Sequence, residues 1–262
     1  MKIRKLARKV LQQLERLTPG RRATRDVVLI SYPKSGRTWV RFMLNTAGVH
    51  IEYSHSGADN RLGLPFEAIA GRVNERADRR IVFLTRDPRD TVVSCYFQAT
   101  RRIAEEARFE GDIHGFIRHP GYGIRKIARF NLHWLESAHL FRDFMSLSYE
   151  DLHASTAGGL ARLVAFATRR PADMEKVREA CDAGRFDNMR KVEISIGASA
   201  DKLTRLGGGQ AGDPESMKTR KGKVGGWAEY LDAGDIAYCE AVLQELGYFE
   251  RLDALIRTRA PI

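Results

Sequence analysis

The sequence of 262 residues has no long apolar run. No stretch approaches the roughly 18 consecutive apolar residues that span a bilayer, and the N-terminus lacks the continuous hydrophobic segment of a signal peptide. Cysteine is scarce: Cys95, Cys181 and Cys239 are the only three, and their spacing fits no metal-binding pattern. These absences argue against a membrane-spanning or disulfide-stapled protein. They predict a soluble, cytoplasmic protein with reduced thiols.

Positive charge is abundant. Lys and Arg number 44 against 33 Asp and Glu, a formal net charge of +11, which attracts polyanions of any kind. In residues 1–22 the apolar side chains recur at helical spacing among Lys and Arg, which predicts a basic amphipathic helix. This helix either packs on the domain surface or contacts an anionic membrane peripherally. Residues 23–262 are predicted to form one domain.

Buried strands alternate with helices along the chain. Apolar runs predict strands at 26–31, 80–85 and 144–149, and amphipathic patterns predict helices at 38–47, from Pro88 onward, and at 122–143, 156–168, 171–183 and 233–246. This alternation is typical of an α/β fold with a central parallel β-sheet flanked by helices on both faces. Ligands of such folds bind beyond the carboxyl ends of the strands. Residues 195–221, rich in Gly, Ser and charge, are predicted to form a mobile loop.

A possible phosphate-binding loop follows the first strand, in the stretch "SYPKSGRTW". A strand that enters a helix through small residues leaves backbone N–H groups pointing at any anion at the helix start. Ser35 and Gly36 let the backbone approach a phosphate, Thr38 can donate a hydroxyl, and Lys34 supplies a positive charge. The pattern G-x-x-x-x-G-K-[ST] is absent. Alone, this stretch is equally consistent with an ordinary turn that carries a surface lysine.

Two later stretches carry further cations. In "FLTRDPRDTVVSCY", Arg86 leaves the second strand and can bind a phosphate through two hydrogen bonds, with Ser94 about two helical turns further on. The alternative is a solvated charge cluster around a helix N-terminus. In "TRKGKVGGW", Arg220 and Lys221 precede glycines such as Gly222 that let the chain fold over a ligand. Alone, that stretch would more often be a basic loop.

Taken together, the three stretches resemble the sulfotransferases that use 3′-phosphoadenylyl sulfate (PAPS). The first resembles their 5′-phosphosulfate loop, usually Y-P-K-S-G-T-T-W, the second their 3′-phosphate element, and the third their R-K-G-x-x-G-x-W element. They occur in family order over almost 200 residues. The resemblance implies a P-loop NTPase-like sulfotransferase fold, PAPS as donor and PAP as product.

The resemblance also implies a set of site residues. By matching positions, the 5′ end of PAPS would contact Lys34, Ser35, Gly36, Arg37, Thr38 and Trp39, and its 3′-phosphate would contact Arg86, Ser94, Arg220, Lys221 and Gly222. Trp39, Tyr149 and Phe186 would lie beside the adenine, although Tyr149 and Phe186 are almost as consistent with simple core aromatics. Two positions depart from the family: Arg37 replaces a threonine, which leaves its role open, and Gly226 replaces an aspartate.

Sulfuryl transfer requires in-line positioning, a donor to the departing oxygen and a base for the acceptor proton. We expect Lys34 to stabilise the leaving phosphate oxygen and His55 to act as the base, because histidine has a pKa near operating pH. Glu52 and Asp59 are alternative bases, and His50 is a third. The migrating group carries less negative charge than a phosphoryl group, so we expect no metal.

Two other function classes are consistent with parts of the sequence. A P-loop-like kinase would need a magnesium site and the G-K-[ST] ending, and neither is visible. A non-catalytic polyanion- or membrane-binding module would need only the basic surface. The acceptor could be a small molecule, a carbohydrate or a lipid, and the short chain between Lys34 and His55 favours a polar one. We expect no nucleic-acid partner, and the sequence carries no signal for the oligomeric state.

Overall fold

A computed structural model describes residues 24, 26–58, 63–197, 206–207, 209 and 212–257. The predicted helix at 1–22, the candidate base Asp59 and much of the predicted mobile loop at 195–221 lie outside the described residues. The chain divides into two compact units. Among the described residues, the sheet unit contains those within 28–35, 53–150 and 223–257, and the helical unit contains those within 24–27, 36–52 and 151–222.

The sheet has four strands, in the order β2-β1-β3-β4. Their bounds are β1 Val27–Ser31, β2 Glu52–Ser54, β3 Arg80–Thr85 and β4 Asp143–Ser148. The central strands β1 and β3 are buried along their whole length, which is why their apolar runs are continuous. The edge strand β2 has no buried residue, and β4 alternates between buried and partly exposed positions. The predicted parallel α/β architecture is confirmed.

Most predicted helices are present, with shifted ends. The α-helices are α1 Arg37–Thr46, α2 Pro88–Arg101, α3 Ile113–Arg118, α4 Ile124–Glu136, α5 Tyr149–Ala154, α6 Thr156–Thr168, α7 Met174–Ala183, α8 Phe186–Ile196, α9 Ala233–Glu245 and α10 Tyr248–Arg257. Short 3-10 helices lie at Phe66–Ala68, Ala70–Arg76, Glu105–Ala107, Ser137–Leu140, Pro214–Ser216 and Gly226–Glu229. None of the helices among the described residues is long and apolar enough to cross a membrane.

The sequence did not predict β2 or the two 3-10 helices in the segment 49–79. Two predicted elements end at other residues than expected. The predicted helix at 122–143 ends at Glu136, and Asp143 already begins β4. Tyr149 is the first residue of α5 and does not end the strand, so the apolar run "FMSLSY" crosses an element boundary.

The core of the sheet unit is aromatic. Phe83 of β3 stacks on Trp134 of α4 with ring centroids 5.9 Å apart, and Trp134 stacks in turn on Phe141 at 5.6 Å. The helical unit has a smaller apolar cluster, formed by Phe42, Met189, Val192 and Leu206, with Trp39 packed against it.

Candidate active site

In the sheet unit, Arg86 directly follows β3. Thr85 and Ser148 are paired in the parallel register of β3 and β4, so Arg86 and Tyr149 leave the sheet side by side. The guanidinium carbon of Arg86 lies 4.4 Å from the centroid of the Tyr149 ring, within the range of a cation–π contact. Burial raises the pKa of the Tyr149 phenol, an effect that the charge of Arg86 opposes. The ring therefore stays neutral beside the cation.

The guanidinium of Arg86 connects two of the sequence stretches. Its Nη1 donates to the carbonyl oxygen of Lys34 at 3.2 Å, and its Nη2 donates to the carbonyl oxygen of Lys223 at 3.1 Å. The same Nη2 lies 3.5 Å from Oδ2 of Asp90, whose side chain is only 3% exposed. Arg86 is thus held by the first loop, by the late loop and by Asp90 of the helix that follows it.

Asp90 is not a solvated surface charge. Its Oδ2 accepts a hydrogen bond from the backbone N–H of Gly225 at 2.9 Å, and its Oδ1 accepts one from Trp227 at 3.0 Å. Gly225 adopts a left-handed conformation with φ of 73°. The missing aspartate before Trp227 therefore does not leave this loop without a carboxylate, because Asp90 provides one from α2.

The first loop has two left-handed residues, Lys34 with φ of 70° and Gly36 with φ of 94°. A left-handed conformation is uncommon for a residue with a side chain, and such strain is concentrated at functional loops. Ser35, between them, is 1% exposed, and its hydroxyl has no hydrogen-bond partner among the described residues. A buried hydroxyl without a partner is costly, so the loop has one donor available for an anion.

His55 is held at the end of β1. Its Nδ1 lies 2.9 Å from the carbonyl oxygen of Ser31, the last residue of that strand. Because a carbonyl can only accept, Nδ1 carries the proton, and in the neutral ring the basic lone pair is on Nε2. Glu52, an alternative base, is exposed on the edge strand β2. His50 instead pairs through Nδ1 with Oδ1 of Asn45 at 3.1 Å.

In the helical unit, α1 begins with Arg37, Thr38 and Trp39. No acidic residue lies in its first turn and no side chain caps it, which leaves the positive end of the helix suited to an anion. The indole Nε1 of Trp39 donates to the carbonyl oxygen of Gly184 at 2.8 Å. The Trp39 ring lies 6.2 Å from the ring of His153.

The same unit brings Phe186 and Gly222 together. Gly222 has φ of 60°, and a Cβ atom placed on it would lie 2.4 Å from Cδ2 of Phe186. Only glycine therefore fits at this position without displacing the ring. His153 donates from Nε2 to the carbonyl oxygen of Gly222 at 3.2 Å, so Trp39, His153, Gly222 and Phe186 form a continuous group.

The cations of the third stretch lie beside this group. Arg220 is largely buried, with 12% of its side chain exposed, and its Nη1 donates to Oε2 of Glu215 at 3.1 Å. Lys221 is half-buried. Two residues of α8, Arg190 and Glu193, hydrogen-bond to the backbone just before them.

Each unit thus gathers part of the predicted site. The sheet unit brings Lys34, Arg86 and Tyr149 together, and the helical unit brings Trp39, Phe186 and Gly222 together. Ser94 is buried in α2, but among the described residues it takes no part in the hydrogen bonds of Arg86. The sequence did not single out Asp90, His153 or Glu193 as site residues. Asp90 lies in the stretch "RDPRD", but the sequence suggested only a solvated charge cluster for its acidic residues.

A separate cluster of potential metal ligands lies at α3 and α9. His114, Asp232 and Asp235 place one ligand atom each within 4.8 Å of one another. Asp235 is buried, and it already accepts hydrogen bonds from Nδ1 of His114 and from Nη1 of Arg118, both at 2.6 Å. A carboxylate paired with a guanidinium is a poor metal ligand, and no metal role follows from this cluster.

Residues 64–252 match the family described as the sulfotransferase domain. The chain belongs to this family. The matched region contains Arg86, Tyr149, Phe186 and Arg220, while the Lys34 loop and His55 precede it. The family resemblance predicted from the three stretches is confirmed.

Two curated relatives illustrate the similarity of this sulfotransferase-family chain. Cytosolic sulfotransferase 10 of Arabidopsis thaliana is 26% identical over 63% of this chain, although the match covers about half, 49%, of the plant protein. Flavonol 3-sulfotransferase of Flaveria bidentis is 24% identical over 84% of this chain and 81% of its own length.

Solved structures share the fold. A mouse sulfotransferase in complex with PAP superposes with a TM-score of 0.60 at 16% identity, covering 96% of this chain and 93% of the mouse chain. A retinol dehydratase in complex with retinol and PAP gives a TM-score of 0.58 at 16% identity, over 91% of this chain and 85% of that chain. At these identities the comparison confirms the sulfotransferase fold alone.

Proposed function

We propose that this chain transfers the sulfuryl group of PAPS to a hydroxyl or amine of a small-molecule acceptor. In the reaction, the bond between sulfur and the bridging phosphate oxygen breaks, and a bond forms between sulfur and the acceptor oxygen or nitrogen. The acceptor proton passes to a base, and PAP leaves with the electron pair of the broken bond. No redox partner is needed, because sulfur keeps its oxidation state.

The observation that carries this proposal is the setting of Arg86. Its guanidinium lies at the carboxyl end of a central parallel strand, where such folds bind ligands. Backbone carbonyls of Lys34 and Lys223 and the ring of Tyr149 hold it in place. A planar guanidinium that is oriented in advance suits a phosphate, and two solved neighbours of the same fold contain PAP.

The first loop supports a role at the other end of the nucleotide. The left-handed Lys34 and Gly36, together with the buried hydroxyl of Ser35 that has no partner among the described residues, form a strand-to-helix turn suited to an anion. We assign Lys34 to the departing phosphate oxygen, where a cation stabilises the charge that develops as the bond to sulfur breaks.

We assign the acceptor proton to Nε2 of His55. The hydrogen bond from Nδ1 to the carbonyl oxygen of Ser31 supports this role, because it favours the tautomer whose Nε2 can accept a proton. It also ties the ring to the strand that leads into the Lys34 loop. Glu52 is less suited, because it lies exposed on β2.

The relatives support a hydroxyl-bearing small molecule as acceptor. One plant relative is named for a flavonol, and two solved neighbours were crystallised with androsterone or retinol. The Arabidopsis relative is named as cytosolic, which supports the same location for this chain. Peripheral membrane contact through residues 1–22 stays a prediction.

Transfer of labelled sulfate from PAPS to a panel of phenols, sterols and sugars tests the proposal. We expect one class of acceptor to become labelled, and PAP to bind in calorimetry. Lys34→Ala should lower turnover about 10² to 10³-fold, the usual loss when a transition-state charge loses its partner. The matched control is Lys176→Ala, a lysine whose side chain is 57% exposed.

Two results would overturn the proposal. The first is the absence of PAP binding by the folded protein. The second is equal turnover by the two lysine variants.

A further inference from the structure

Glu193 of α8 is a buried carboxylate that belongs to none of the three sequence stretches. It is 2% exposed. Its Oε1 accepts a hydrogen bond from the backbone N–H of Lys218 at 2.8 Å, and its Oε2 accepts from the N–H of Thr219 at 2.8 Å and from the Thr219 hydroxyl at 2.6 Å. A buried charge is stable only when hydrogen bonds compensate for the lost water, and these three do so.

Arg190 holds the opposite side of the same segment. It lies three residues before Glu193, so both side chains project from one face of α8. Its Nη1 donates to the carbonyl oxygens of Thr219 at 2.7 Å and Arg220 at 3.2 Å. One helix therefore binds both the N–H and the C=O groups of the chain immediately before Lys221.

The hydrogen bonds from Glu193 and Arg190 fix the backbone position at the start of the third stretch, beside its two cations Arg220 and Lys221. The backbone of Thr219 and Arg220 is held directly, and Gly222, two residues later, packs on Phe186 at the start of the same helix. The segment from 218 to 222 is thus held at both ends by α8. Few backbone conformations remain for Arg220 and Lys221.

We propose that Glu193 is a positioning residue for recognition of the 3′-phosphate of the nucleotide. It acts through the backbone of Lys218 and Thr219, which it holds so that Arg220 and Lys221 are oriented before the ligand arrives. Preorganisation of this kind increases affinity because the cost of ordering the loop is not paid on binding. The inference rests on the proposed function, since it concerns the same nucleotide.

A direct electrostatic role for Glu193 predicts the opposite change in PAP affinity. A carboxylate near a phosphate site repels the ligand, so its neutralisation alone would tighten binding. The positioning role predicts weaker binding. In Glu193→Gln only one acceptor oxygen remains, so the backbone N–H of either Lys218 or Thr219 would face the amide NH₂ and lose its hydrogen bond.

The experiment compares two ligands, PAP and adenosine 5′-phosphate, which differ by the 3′-phosphate. Isothermal titration gives the ratio of their dissociation constants for the wild type and for Glu193→Gln. The matched control is Glu179→Gln, the same chemical change at an exposed glutamate of α7 in the same unit. Circular dichroism melting reports whether each variant is folded.

We expect Glu193→Gln to weaken PAP binding at least about tenfold, while adenosine 5′-phosphate binds almost unchanged. Glu179→Gln should resemble the wild type. Equal loss for both ligands, or tighter PAP binding, would overturn the inference and leave the proposed function standing. A wild type that does not distinguish the two ligands would overturn both.

A milder variant covers the case in which Glu193→Gln does not fold. Thr219→Val keeps the carboxylate and both backbone hydrogen bonds and removes only the hydroxyl that donates to Oε2. We expect it to weaken PAP binding several-fold, again without an effect on adenosine 5′-phosphate. An unchanged ratio of the two dissociation constants in this variant would contradict the positioning role.

Discussion

Asp90 of α2 and Arg86, which precedes that helix, form a buried ion pair with Oδ2 and Nη2 separated by 3.5 Å. The carboxylate of Asp90 also accepts hydrogen bonds from the backbone N–H groups of Gly225 and Trp227. Asp90 therefore couples the late glycine-rich loop to the cation that we assign to the 3′-phosphate. A change at Asp90 should affect both.

Asp90→Asn should destabilise the protein and weaken PAP binding. The amide can accept from only one of the two backbone N–H groups, and the other is left facing its NH₂ group. A buried polar group without a partner costs about 1–3 kcal/mol, which urea denaturation would detect. Asp78→Asn, at an exposed aspartate, is the control. Equal stability of the two variants would show that the late loop does not depend on Asp90.

Gly222→Ala should reduce stability and PAP affinity together. A left-handed residue with a side chain costs about 1–2 kcal/mol, and here the new methyl group would also displace the Phe186 ring. Gly48→Ala is the control, because Gly48 also has a positive φ, of 75°, and no neighbour among the described residues within 4 Å of its Cβ position. Both variants should lose stability because a residue with a side chain is strained at positive φ. We expect only Gly222→Ala to lose PAP binding in calorimetry.

One result with the two glycine variants would contradict this prediction. If the two variants lose the same stability and both bind PAP as the wild type does, the packing of Phe186 on Gly222 has no part in nucleotide binding. The double variant Gly222→Ala with Phe186→Ala adds a further check. In the Phe186→Ala background, Gly222→Ala should cost less stability than in the wild type, because the ring that the methyl group displaces is gone.

The sequence predicted the central strands well and the edge strand not at all. β3 is buried at all six positions, so its apolar run marks both of its ends. β2 has three residues and none is buried, so no apolar period marks it. The sequence placed Tyr149 in the strand because it continues the apolar run of β4. An apolar run alone does not show where a strand ends and a helix begins.

The candidate site was predictable where glycine, lysine and arginine follow a strand. Lys34 and Arg86 belong to such patterns. Asp90 and Glu193 do not, because their role depends on partners far along the chain. Asp90 binds a backbone N–H 135 residues away, and Glu193 binds one 26 residues away. A single acidic residue on a helix carries no sign that it will be buried.

The pair of His114 and Asp235 should make stability depend on pH. The hydrogen bond from Nδ1 to Asp235, followed by the charge of that carboxylate, raises the pKa of His114 above its usual value. A raised pKa in the folded state means that the pair stabilises the fold fully below the unfolded pKa, about 6.5. That contribution is lost as the pH rises through the folded pKa.

Denaturation at several pH values, with NMR titration of the ring, checks this prediction. The His114→Gln variant should lose most of the extra stability seen in acid, and it should differ less from the wild type at pH 8. The carboxylates of Asp112 and Asp232 and the guanidinium of Arg118 also face His114. A His114 pKa below that of a free histidine would contradict the assignment.

His55→Gln should separate turnover from nucleotide binding. A general base typically contributes a factor of about 10² to 10⁴, so we expect the turnover number to fall by about that factor, while the dissociation constant of PAP stays within about twofold. Gln is polar and of similar size, but it cannot take a proton. His139→Gln is the matched control, because its Nδ1 also lies 2.9 Å from a backbone carbonyl, that of Glu136, at an exposed position. If His55→Gln retains full turnover, the base is another group, and Glu52→Gln becomes the variant to measure.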